Sequence, residues 1–162
     1  MKGDQGFPIR VRFSKRGKVR FISHRDVARA FERAFRVEQL PLAFTEGFSP
    51  RPKVSFGLAL SVGHESDAEY LDVELTEPVD VDGLPVQLSQ ALPDGMDSTG
   101  AVRLVERAPA LQEAITEVQF QIAAVDGRGE PVSEELHRTA ATRALACDEL
   151  SVTRSRKGRV SV

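Results

Sequence analysis

Apolar residues along this chain recur with period two in some stretches and with helical period in others. Over 8–13, Ile9, Val11 and Phe13 alternate with Arg10 and Arg12, which predicts a strand with one buried face. "KRGK" around Gly17 reads as a polar turn, so 8–22 is expected to form a hairpin. Ser23, with Asp26 three residues on, makes a variant capping box for a helix over 24–38. Val27, Phe31, Ala34 and Phe35 form one apolar stripe on that helix. Arg25, Arg29, Arg33 and Arg36 span about 80° on the opposite side, at 100° per residue.

"KVSFGLAL" (53–60) and "AEYLDVELTEP" (68–78) read as strands, the second with Leu71, Val73 and Leu75 on one side and Asp72 and Glu74 on the other. "DGLPVQLSQALPDG" (82–95) reads as a short helix capped by Asp82, with Pro85 in its first turn and Leu84, Leu88 and Leu92 as its stripe. "STGAVRLVER" (98–107) is another strand. The order predicts an α+β fold, a ferredoxin-like split βαβ unit over 8–107 with an antiparallel sheet backed by two helices. A second α+β unit is expected over 115–162: a strand at "EVQFQIAAV" (117–125), a helix capped at Ser133, and the tail "ELSVTRSRKGRVSV". It reads as the first half of a similar unit. Ending on Val160-Ser161-Val162, it is expected either to close on an edge strand or to continue past 162. "RAPALQEA" (107–114) is the candidate boundary.

The 162 residues suffice for one large or two small domains, and 41% hydrophobic with 28% charged residues is ordinary for a globular chain. No apolar run approaches the length of a membrane span, and the first ten residues lack the apolar core of a secretory signal. One cysteine, Cys147, cannot form an internal disulfide and suits a reducing, cytoplasmic setting; near a helix end beside acids, it is expected to be a small buried residue. His24, His64 and His137 lack metal-ligand spacing, and no phosphate-binding glycine loop occurs, so neither metal nor cofactor is expected. His64 reads as a loop residue and His137 as a solvent-facing helix residue.

A net charge of −2 conceals a division along the chain. Residues 1–53 hold 13 Lys/Arg against 5 Asp/Glu, and residues 54–153 hold 5 against 19. Such asymmetry fits either a polyanion partner or two surfaces that neutralise each other within the fold or across a dimer. The stretch "TEGFSPRPKVSFG" (45–57) sharpens the first alternative. Gly47 permits an unusual backbone turn, Pro50 and Pro52 stiffen the segment, and Phe48, Ser49, Arg51 and Lys53 offer a flat face, a hydroxyl and two cations. Such a loop suits phosphates and a stacked base; the alternative is a Pro-rich turn whose Phe48 caps the core and whose charges are solvated. The candidate nucleic-acid surface is Arg10, Arg12, Lys15, Arg20, Arg25, Arg29, Phe48, Ser49, Arg51 and Lys53. His24 opens the helix among cations that favour its neutral form, which makes it a candidate base or else a solvated helix-start residue.

"VRFSKRGKVRFISHRDVARAFERAF", "LPLAFTEGFSPRPKVSFGLALSVGHESDAEYLDVEL" and "VTRSRKGR" together resemble the radical-SAM-linked protein family, over about 9–160. That family is a domain of unknown function, fused to or encoded beside a cobalamin-binding-type radical SAM protein. "AFRVEQLPLAF" departs from it, since a small residue and Gly usually precede the Leu-Pro. The resemblance marks Lys15, Arg20, His24, Arg25, Thr45, Gly47, Phe48, Ser49, Pro50, Pro52, Lys53, Glu69 and Tyr70 without assigning them roles. It implies a radical SAM protein as partner; this chain lacks the cluster cysteines and is not itself that enzyme. The resulting expectation is a non-catalytic accessory that binds RNA, for instance transfer RNA, or presents substrate to the partner. Two rivals stand beside it: a metal-independent endoribonuclease using His24 with Arg51 or Lys53, and a protein–protein adaptor.

Overall fold

A computed structural model describes residues 6–104, 108–149, 151, 154–156 and 159–161, and the chain divides into units 1–117 and 118–162. In the first unit, β1 (Phe7–Lys15) leads through a 3-10 turn (Gly17–Phe21) into α1 (His24–Val37). Then come β2 (Val54–Phe56), β3 (Ser66–Leu75), α2 (Leu84–Ala91), β4 (Met96–Arg103) and the single turn α3 (Leu111–Ala114). The sheet order is β2-β3-β1-β4 with every neighbouring pair antiparallel, which is the ferredoxin-like arrangement expected from the element order.

Strand alternation decides which face the helices cover. Ile9, Val11, Phe13, Leu71, Val73 and Leu75 point to one face and are buried there with Val27, Phe31, Ala34 and Phe35 of α1 and Leu84 and Leu88 of α2. Phe13 and Phe31 meet edge to face at 4.6 Å, and Phe56 completes the group at 6.4 and 6.1 Å. Ser23 caps α1 as expected: its hydroxyl oxygen accepts from the Asp26 amide while the Asp26 carboxylate accepts from Ser23, and these bonds hold Asp26 below the usual carboxylate range.

Several local expectations change. The hairpin over 8–22 does not form, because β1 is a central strand with β3 and β4 on its two edges, leaving 17–21 no edge to pair with. The chain turns at Gly17 into 3-10 geometry instead. Gly95 comes so close beneath this turn that a Cβ there would collide with the Arg16 carbonyl. The strand at 53–60 narrows to β2, and β4 spans Met96–Arg103, with 105–107 outside the described residues. Gly83, not Asp82, stands at the α2 N-cap, and it makes no side-chain cap. α3 falls inside the expected boundary segment and belongs to the first unit, where Leu111 is buried.

The second unit contains α4 (Glu134–Leu145), capped by Ser133 as expected, and a hairpin of β5 (Arg154–Arg156) and β6 (Arg159–Ser161). Residues 117–125 are not a strand; Val125 makes one isolated bridge with Pro131. His137 is half-buried, and its Nε2 accepts from the Ala124 amide, so it is not a free solvent-facing residue. Cys147 is exposed, contrary to the buried role expected of it. Among the described residues no helix is long and apolar enough to cross a membrane.

If the aromatic contact is what locks α1 onto the sheet, Phe31→Ala should lower the unfolding free energy by about 3–5 kcal/mol in a urea titration. A loss below about 1 kcal/mol would show that the helix is held by something else.

Candidate nucleic-acid interface and a charged pocket

The ten expected contact residues do not form one patch. Arg10 lies on the sheet face away from the helices, where Nε and Nη2 donate to the two carboxylate oxygens of Asp72 at 2.8 and 2.9 Å. Both side chains are about one-fifth exposed (18% and 20%), and the Asp72 bond raises the Arg10 pKa above its ordinary value. Lys53 lies on the same face and pairs with Glu74 at 3.1 Å. α3 partly closes this face: Arg10 reaches the Pro109 carbonyl at 3.4 Å, and Gln112 donates to the Phe56 carbonyl at 3.0 Å. Of the arginines here, Arg12 is exposed and has no ion pair among the described residues.

At the other end of β1, Arg20 pairs with Glu65 at 3.1 Å, and Arg16 pairs with Asp67 at 2.6 Å, which pulls Asp67 below its usual range. Acids of 65–74 thus meet cations of 10–53 inside one unit. That is the internal neutralisation posed by the charge count. It takes Arg10, Arg20 and Lys53 partly out of play.

α1 behaves differently. Arg25, Arg29, Arg33 and Arg36 are all exposed on its outer side, and among the described residues only Arg29 of these is ion-paired, with Asp26 at 3.4 Å. Glu32 is exposed within the same row, so its net charge is reduced. The 45–51 loop is pinched at its base: the Thr45 amide donates to the Arg51 carbonyl at 2.9 Å, and the Arg51 amide donates to Thr45 Oγ1 at 3.1 Å. Gly47, at φ 122°, makes the turn between them. Ser49 and Arg51 are exposed, and Phe48 projects wholly into solvent at 110% relative exposure. Phe48 therefore does not cap the core.

His24 and Lys15 line a pocket that includes no residue of that loop. His24 stands at the first position of α1 with its ring 5.1 Å from Phe56. β2 directs Val54 and Phe56 toward the helices, which leaves Lys53 on the reverse face. Of the two cations a ribonuclease would pair with His24, Lys53 thus lies across the sheet from it, and Arg51 is exposed on the loop. Lys15 is buried, at 2% exposure, and its ammonium donates to the carbonyls of Ile22 at 3.2 Å and Arg20 at 3.5 Å. It shares a pocket with Phe13, His24, Phe56, Leu58, Leu60 and Glu69. Burial pushes the Glu69 carboxyl up, with Ser66, Lys15 and His24 opposing that shift. The role of Leu58 and Leu60 as pocket walls was not evident from the sequence. Lys15 and Glu69 did carry a readable mark, since each continues the buried parity of its strand.

The class defined is a ferredoxin-like α+β unit with a charged pocket at one end of its core, followed by a second α+β unit. The chain belongs to the family described as "uncharacterized protein conserved in bacteria" (DUF2344), whose model matches residues 8–162. A comparison with curated proteins finds no match.

Because the Glu69 pKa is raised in the folded state, the native protein binds this proton more tightly than the unfolded chain. Its ionisation therefore opposes folding increasingly as pH rises from the ordinary carboxylate range through the folded pKa. Glu69→Gln should be more stable than the parent at neutral pH, with the difference vanishing once both states are protonated in acid. Urea titrations at several pH values check this; a variant less stable at pH 7 would mean that the carboxylate makes a net favourable contact.

Proposed function

We propose that this protein is a non-catalytic accessory that holds RNA, transfer RNA being the leading candidate, for a radical SAM partner. The partner class comes from the similarity to radical-SAM-linked proteins. The observation carrying the RNA reading is the outer face of α1, where four arginines are exposed and one is internally paired. From Arg25 to Arg36 they run about 17 Å along the helix at 1.5 Å per residue. A row of guanidinium groups at that spacing can follow a phosphate backbone, and an unburied Phe48 offers a platform for a base. The pairing of Arg10, Arg20 and Lys53 with acids confines the reading to α1, Arg12 and the loop, a smaller surface than charge counts imply. Separation of His24 from Lys53 weighs against the form of the ribonuclease reading that uses Lys53.

Fluorescence anisotropy with labelled transfer RNA tests this. Affinity should fall steeply as salt rises, and a combined Arg25→Ala, Arg33→Ala and Arg36→Ala variant should flatten the log–log slope by about 2 to 3. Phe48→Ala should weaken binding about tenfold or more if a base stacks there. No binding at low salt, or binding indifferent to salt and to the arginine variant, would defeat the proposal. Co-purification of a radical SAM protein that survives nuclease, with RNA never bound, would replace it with the adaptor.

A further inference from the structure

The pocket between β1, β3 and the start of α1 holds a buried amine that makes no salt bridge among the described residues. Lysine has three N–H donors; Lys15 directs two at the Ile22 and Arg20 carbonyls. Among the described residues it has no ion-pair partner, although Glu69 lines the same pocket. Buried ammonium groups are seldom left this way, because the desolvation they suffer calls for a partner. Purely structural service, tying the 3-10 turn to β1, accounts for two of the three donors. It accounts neither for Glu69 at the same pocket nor for the space beside them.

That space has a useful size. The pocket as a whole has room for about 10 Å³, what one water or one carbonyl oxygen needs. Phe56, Leu58, Leu60 and the His24 ring supply flat or apolar walls around it. What fits is the polar edge of a planar ligand, with its body resting at the mouth. The edge must offer an acceptor to Lys15 and, beside it, hydrogen-bond donors to Glu69.

We propose that this pocket recognises a guanine base, with the O6 carbonyl taking the free Lys15 N–H and the N1–H and N2–H groups donating to the Glu69 carboxylate. Guanine presents one strong acceptor next to two donors, in the order that an ammonium and a carboxylate complement. Adenine and cytosine present an amino group with a ring nitrogen and give the carboxylate one donor fewer. Uracil matches Lys15 but has a single N–H. The proposal rests on the RNA reading and gives it a base-specific element: His24 borders this pocket, and Arg25, the next residue of α1, begins the arginine row.

Guanosine, which has no phosphate, separates the two claims. In an NMR titration of the full chain, guanosine at about 1 mM should shift the amides of Gly57, Leu58 and Leu60, with little dependence on salt. Adenosine and cytidine should bind at least tenfold more weakly, the usual scale of one mismatched base contact. Glu69→Gln, which is expected to fold, should lose guanosine at least tenfold; Lys15→Met should lose it as well, its fold being checked by its own amide spectrum. Absence of guanosine shifts, equal response to all nucleosides, or a Glu69→Gln variant that binds like the parent would overturn the pocket assignment. If salt-dependent RNA binding survives such a result, the arginine row stands without the pocket. Guanosine binding without any RNA binding would leave the pocket as a site for a free guanine compound.

Discussion

The rotation of α1 about its own axis fixes what this molecule can offer a partner. Val27, Phe31, Ala34 and Phe35 are buried against Phe13 and the rest of the sheet's inner face, and a helix so held has no freedom to turn. Arg25, Arg29, Arg33 and Arg36 are directed outward as a geometric consequence. The same packing brings His24, at the first turn, against Phe56 and closes one side of the Lys15 pocket. Row and pocket are therefore two outcomes of one buried stripe. A change that loosened Phe31 would degrade both.

Charge needs separate treatment, because the sequence division is real but its meaning is mixed. Antiparallel pairing of β1 with β3 sets Arg10 opposite Asp72, and the 3-10 turn brings Arg16 and Arg20 to Asp67 and Glu65. Partly buried, bidentate pairing makes the Arg10–Asp72 contact the firmest of these; the Arg16 and Arg20 pairs are more exposed and contribute little to stability. Among the described residues, helix α1 has one acid-held arginine, because no strand of the sheet faces its outer side. Sequence counting could not separate these cases, since what decides them is which cation meets an acid across a strand pair.

The legible parts of the sequence were those where one local pattern had a single solution. Ser23 with Asp26 and the stripe at 27, 31, 34 and 35 determined α1, and the order of periodicities led to the sheet topology. The expected hairpin at 8–22 went wrong because a turn around Gly17 is equally compatible with 3-10 geometry, and only the occupation of both β1 edges excludes a strand. The stretch 117–125 carried good alternation without becoming a strand, since alternation proposes a buried face but cannot supply a partner edge. Phe48 was readable as either core cap or exposed platform; the hydrogen bonds between Thr45 and Arg51 decide for exposure. Lys15 was grouped with the surface cations by residue type, although its position in the series 9, 11, 13, 15 placed it on the buried side.

That last misreading bears on how recognition would work here. A guanidinium row in solvent acts on phosphates alone and treats all sequences alike, whereas a buried ammonium beside a half-buried carboxylate discriminates, because a mismatched edge leaves both without a partner. Exposed cations give association and register; sequestered ones give selectivity at the expense of folding stability. Glu69 fits the second role physically: burial raises its pKa, so the folded protein holds a carboxylate in an environment that disfavours its charge. A residue under that penalty gains most from donors brought by a ligand. Base discrimination on this reading belongs at the end of the core, where Lys15 is buried and Glu69 half-buried, and not on the helix, where the cations are exposed.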